Sequence, residues 1–201
     1  MIETNTLLDV ANSALLAIGD RTISALNDKD DKTSMQVSSI FRQVIMDIQG
    51  AANAPWRELY TTTRLILHDA APCYGEWVFN KPTNCMVLVS VGNGRGRQDE
   101  LVARCEGRFI YIDCSTLSST NNVLCRYSKL SLDPAEWGAD LRGCVISLLS
   151  ARLAGVLTAT PTASQALEKA FWEGEFVRRT GNAIVSTEGQ NAYWRGHYVG
   201  V

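Results

Sequence analysis

The sequence predicts an α+β protein, with an antiparallel helical bundle built from N- and C-terminal helices and a β-rich insertion in the middle. Three observations carry that expectation. Apolar residues recur at helical spacing near both ends of the chain. The middle is punctuated instead by turn signals, namely Lys81-Pro82-Thr83-Asn84, Gly92-Asn93-Gly94, Glu106-Gly107 and residues 115–122. Between those turns lie short runs rich in β-branched and aromatic residues. The expected organisation is N-terminal helices over 1–56, the insertion over 57–130, a C-terminal helical hairpin over 131–185 and a tail over 186–201.

Thr6 and Asp9 offer a capping box for the first helix, which carries Leu7, Leu8, Ala11, Ala14, Leu15 and Ile18. Gly19 is placed to end it, and the connector over 20–27 holds two apolar anchors, Ile23 and Leu26. The run Asp28-Lys29-Asp30-Asp31-Lys32 fits a solvated approach to the second helix, its carboxylates favouring the positive end of the helix dipole. Val37, Ile40, Phe41, Val44, Ile45 and Ile48 then form one apolar stripe.

In the insertion, three consecutive threonines followed by Leu65, Ile66 and Leu67 predict a strand over 59–67. Further strands are expected over 76–79, 85–91, 100–105, 108–113 and 123–127.

The hairpin is the most informative stretch. Asp133, Pro134 and Glu136 have the residue types of N-cap, N1 and N3, and Trp137, Leu141, Val145, Leu148, Leu149, Leu153 and Val156 follow at helical spacing. Pro161 excludes a continuous helix, and Thr162 with Gln165 suggests a second capping box. The second helix is expected to turn Leu167, Ala170, Phe171 and Val177 inward and to end on Arg178 and Arg179 before Gly181. Small residues, Ala151, Ala154 and Gly155 on one helix and Ala166, Ala170 and Gly174 on the other, predict close approach of the two.

Composition narrows the function classes. With 46% hydrophobic and 20% charged residues, the chain has the make-up of an ordinary globular protein. A net charge of −2 gives no whole-chain basic field for gripping nucleic acid, leaving only local patches. No apolar run approaches the roughly 20 residues of a membrane span, and Met1-Ile2-Glu3-Thr4 lacks a signal peptide's basic region and apolar core. The six cysteines have no CxxC spacing, so they are expected to be reduced, packed thiols, and no metal site is expected.

Catalytic chemistry is poorly supported. A serine or cysteine nucleophile needs a neighbouring base, and only His68 and His197 exist, without a GxSxG elbow. The one glycine-rich loop, Gly92-Asn93-Gly94-Arg95-Gly96-Arg97, has neither P-loop nor GxGxxG spacing. Its arginines, Arg95 and Arg97, flanked by glycines on a hairpin tip, are free to face a polyanion. The glycine- and aromatic-rich end, with Tyr193, Trp194, Arg195 and Tyr198, is expected to order only against a partner, over 190–201.

The order of these features resembles one family. Asn12, Leu15, Leu16, Ala17, Ile18 and Gly19, followed by Ile23, Ser24 and Leu26, spell N-x-x-L-L-A-I-G…I-S-x-L. Trp56 before a strand, a proline ahead of Val87–Val89, the Arg126-Tyr127 strand and a Leu/Ala-rich helix over 148–154 complete the likeness. This is similar to the tail tubular protein A family of short-tailed bacteriophages, the head–tail adaptor or gatekeeper. The resemblance implies a structural virion protein, not an enzyme, without cofactor or membrane contact. It implies a dodecameric ring between portal protein and tail nozzle, located in the virion neck and assembled in the host cytoplasm. Genomic DNA would pass through it without sequence-specific binding, and the tail aromatics would face the portal. Two alternatives stand beside it: a virion-associated glycan hydrolase, needing a carboxylate pair in a cleft, and a head–tail connector of a long-tailed phage.

Overall fold

The computed structural model describes residues 6–51, 56–68, 74–93, 101–117, 119–157 and 161–180. The protein mixes helix and sheet, and it divides into two compact units. The helical unit draws on two chain segments, Met1–Ile48 and Leu132–Val201, and the β-rich unit is the contiguous stretch Gln49–Ser131.

In the helical unit, α1 spans Leu7–Ala17. The capping box is formed: the Asp9 amide donates to Thr6 Oγ1 (3.2 Å), and the Thr6 amide donates to Asp9 Oδ2 (2.7 Å). That second bond, with the Thr6 hydroxyl behind it, holds the Asp9 carboxyl below its ordinary pKa. At the other end the Gly19 amide donates to Leu16 O and the Asp20 amide to Leu15 O, a Schellman pair that requires Gly19 at φ +74°. The connector is then pinned to the helix by one side chain. Asn12 Nδ2 donates to Ile23 O (3.1 Å) and Asn12 Oδ1 accepts from the Ile23 amide (2.8 Å).

Helix α2 spans Lys32–Gln49, started by Asp31, whose Oδ1 accepts from the Thr33 amide. Val37, Phe41, Val44, Ile45 and Ile48 are its buried apolar residues. Helix α3 spans Ala139–Leu157 and begins later than the sequence suggests. Asp133 caps a separate 3-10 turn, Pro134–Glu136, and Trp137 is extended, so the cap residues belong to that turn. Ser150 Oγ of α3 donates to Ala14 O of α1.

Helix α4 starts on Pro161 itself, so Thr162 and Gln165 lie inside it and the expected second capping box is not its start. It spans Pro161–Ala170, continues through a π-helical stretch, Phe171–Phe176, and regains α geometry over 177–180. It runs antiparallel to α3: Glu168 bonds to Arg152, Glu175 to Ser147, and Arg179 to Asp140, so one number rises as the other falls.

The π stretch corrects the expected inward face. Phe171 and Phe176 are both buried, with ring centroids 5.9 Å apart. In a regular α-helix residues five apart point about 140° away from each other, whereas the i→i+5 turn brings them to one side. Phe176 therefore replaces Val177 as the inward residue, and Val177 is 57% exposed. Leu167 (50%), Ala170 and Val156 also face outward. Gly155 does allow close approach, because a Cβ there would meet Ser164 at 2.7 Å, but Gly174 has nothing within 4 Å.

The β-rich unit holds two antiparallel sheets. Strands β1 (Tyr60–Arg64), β7 (Leu124–Lys129) and β4 (Cys85–Gly92) form a three-stranded sheet in the order β1-β7-β4. Strands β2 (Ile66–Leu67), β3 (Glu76–Asn80), β6 (Phe109–Asp113) and β5 (Ala103–Glu106) form a four-stranded one in the order β2-β3-β6-β5. The expected single strand over 59–67 is thus split. Buried Leu65 separates the two halves, its amide bonded to Val123 O, and the chain changes sheet there. The inner faces share one core of Phe79, Ile110, Ile112, Val91, Cys125 and Tyr127, with alternate residues outward.

Gln49 and Ser131, the first and last residues of this unit, clasp each other. Buried Gln49 donates through Nε2 to Ser131 O and accepts at Oε1 from the Ser131 amide, both at 2.9 Å. One side-chain amide thereby does the work of a strand rung where the chain enters and leaves.

Candidate interaction surfaces

The residues picked out by sequence, Arg95 and Arg97 in the glycine loop and Tyr193, Trp194, Arg195 and Tyr198 in the tail, lie outside the described residues, as do Gly181 and Cys73. The surfaces that can be built are the two outer sheet faces and the ionic seams of the helices.

The helical seams are charge-compensated. Arg152 of α3 is gripped by Asp47 of α2 (2.7 Å) and Glu168 of α4 (2.8 Å), tying three helices at one guanidinium. Burial lowers that arginine's pKa, but the hydrogen bonds to both carboxylates outweigh it and the net direction is upward. Arg179 makes the same kind of bridge to Glu175 (2.9 Å) and Asp140 (3.2 Å), and its guanidinium fills the space above Gly143. These residues act as fasteners.

On the four-stranded sheet, alternation turns Glu76, Asn80, Phe109, Tyr111, Arg104 and Glu106 outward. Arg104 lies over the Tyr111 ring (4.5 Å) and is held by Glu76 (2.8 Å) and by Glu106. His68 packs on Phe109 with centroids 4.6 Å apart, and Arg108 covers the same ring. The face is closed over by its own stacking and ion pairs.

The three-stranded sheet differs. Its outer rows are Thr62–Arg126–Ser90 and Arg64–Leu124–Gly92. Arg64 donates to Asn122 Oδ1 (2.7 Å) and Arg126 lies 4.7 Å over the Tyr60 ring, so both partners are neutral. Burial raises the Tyr60 phenol pKa, while the positive charges of Arg126 and Arg57 pull it down. Sequence reasoning missed this face, because only strand register brings 64, 90 and 126 together.

Among the described residues, no group of three His, Cys, Asp or Glu side chains is placed to hold a metal ion. The five described cysteines are free thiols. Burial pushes Cys85 up to about 11 and Cys125 and Cys144 up to about 12, so these thiols stay protonated and weakly nucleophilic at neutral pH. No helix among the described residues is long and apolar enough to cross a membrane. No family model matches the chain, and no curated protein matches it.

Proposed function

We propose that the protein is a structural head–tail adaptor of a bacteriophage virion, assembled in the host cytoplasm into a ring in the neck. In this reading the helices of both chain segments make an antiparallel bundle that forms the ring body, and the β-rich unit is its insertion. DNA passes through the ring without sequence-specific contact. Portal protein binds on one side, through Tyr193, Trp194, Arg195 and Tyr198, and a tail nozzle or tube protein binds on the other. Arg95 and Arg97 contact the channel or a neighbouring subunit. No cofactor is required.

The observation that carries this reading is the opening motif. Its residues have matched physical tasks: Leu15 is fully buried, Gly19 supplies the left-handed helix end, and Asn12 fastens Ile23. Leu16 stands 62% exposed in the middle of the motif, as an apolar contact residue for another subunit would. A ring closes through heterologous contacts, so such a residue needs a different surface on its neighbour.

The test is capture of immobilised portal protein by the full chain and by a chain lacking 190–201, with mass by light scattering. The full chain is expected to bind as a multimer and the truncated one to fold but bind far more weakly. Failure of the full chain to bind portal, together with turnover of capsular or peptidoglycan substrates, would replace the adaptor reading with the hydrolase one.

A further inference from the structure

We infer that the outer face of the three-stranded sheet, centred on Arg64 and Arg126, binds the phosphate backbone of double-stranded DNA. The inference deepens the adaptor reading and rests on it, by naming residues that would meet the passing genome.

The charge balance of individual arginines carries it. Arg104, Arg152 and Arg179 are each bracketed by two carboxylates. Arg64 and Arg126 are exposed and pair with no carboxylate among the described residues; an amide orients one and a phenol ring the other. Neutral partners fix a guanidinium's direction without cancelling its charge. The two arginines are diagonal neighbours on adjacent strands, rooted about 7–8 Å apart. The hydroxyls of Thr62 and Ser90 flank Arg126 in its row, and Arg, Ser and Thr are the residue types that contact phosphate oxygens.

The charge distribution agrees. The β-rich unit carries nine Lys and Arg against seven Asp and Glu, whereas the helical unit carries ten against fourteen. A three-stranded sheet face is neither a helix nor a two-stranded ribbon that fits the major groove, so its guanidiniums meet the backbone and contact is indifferent to sequence. An acidic protein surface, such as the helical unit of a second copy, is the competing occupant.

The experiment is fluorescence anisotropy of the full chain with a labelled duplex over a range of salt. It compares wild type, Arg64→Ser/Arg126→Ser, Arg64→Lys/Arg126→Lys and Arg104→Ser. In wild type, log K should fall linearly with log salt, and the serine pair should flatten that slope by about two units, one per lost phosphate contact. The lysine pair and Arg104→Ser should retain it, and a shuffled duplex should bind equally. Melting curves confirm that each variant folds; should the serine double variant fail to, Arg64→Ser alone carries the test with about half the effect. An unchanged slope in a folded serine variant would overturn the inference. So would loss of self-association in sedimentation with DNA binding intact, which would make the face a contact between copies. Portal capture is scored separately, so either result leaves the adaptor reading standing or falling on its own.

Discussion

Two glycines of the helical hairpin should respond to alanine with opposite signs. At Gly155, an added Cβ would meet Ser164 Cβ and Oγ at 2.7 Å, well inside van der Waals contact. The Ser164 hydroxyl can turn only by giving up its bond to Ala151 O (2.7 Å), and its Cβ moves only with the backbone of α4. Overpacking of this kind costs about 1–3 kcal/mol, and relief of glycine's poor helix propensity returns up to about 1 kcal/mol. Gly155→Ala should therefore be less stable by about 1–2 kcal/mol, a Tm fall of about 2–8 °C for a chain of this length. At Gly174 a Cβ meets nothing within 4 Å, so only the backbone benefit of about 0.5–1 kcal/mol remains. Gly174→Ala should raise Tm by about 1–4 °C. Urea unfolding followed by circular dichroism and by tryptophan fluorescence reads both. Adding Ser164→Gly to Gly155→Ala should recover part of the loss. If Gly155→Ala matches or exceeds wild type, α3 and α4 do not approach as described and the packing argument fails.

Gln49→Leu should cost about 2–4 kcal/mol, because it removes both hydrogen bonds that the Gln49 side chain makes to the Ser131 backbone; a loss of unfolding free energy in urea below a quarter of that would show the clasp to be dispensable. Arg152→Met should weaken the helical unit by about 1–2 kcal/mol, and a double-mutant cycle with Glu168→Gln should show clear coupling; additive losses would contradict a shared ion pair. The thiols set an alkaline limit. Their folded pKa values of about 11 to 12 lie above the unfolded value of 9.0, so the unfolded chain loses these protons first. Their contribution is complete below pH 9 and lost as pH rises toward 12. Stability should be flat in this respect near neutrality and decline above pH 9, less steeply in Cys144→Ala, and a decline that is equal in that variant would assign the slope elsewhere.

What could be read in the sequence was local. The Thr6–Asp9 box and the Gly19 stop depend on residues within a few positions of one another, and each formed. The strands of the middle stood out because turn residues bound them. The partition of those strands into two sheets was hidden, because the change of sheet rests on one buried leucine, Leu65, in an otherwise continuous β-like run. The π stretch was hidden for a related reason: an inserted residue shifts the helical phase without breaking the apolar pattern, so Val177 reads as inward where Phe176 is. Gln49 and the row of Thr62, Arg126 and Ser90 depend on partners far along the chain, which no local pattern encodes.

The central claim is assembly into a portal-bound ring, and class-averaged electron micrographs of the full chain mixed with portal protein test it most directly. The account predicts end-on views with a closed ring of this protein stacked coaxially on the portal and a channel left open through both. Portal rings unchanged by the addition, with this protein remaining a separate small particle, would contradict it.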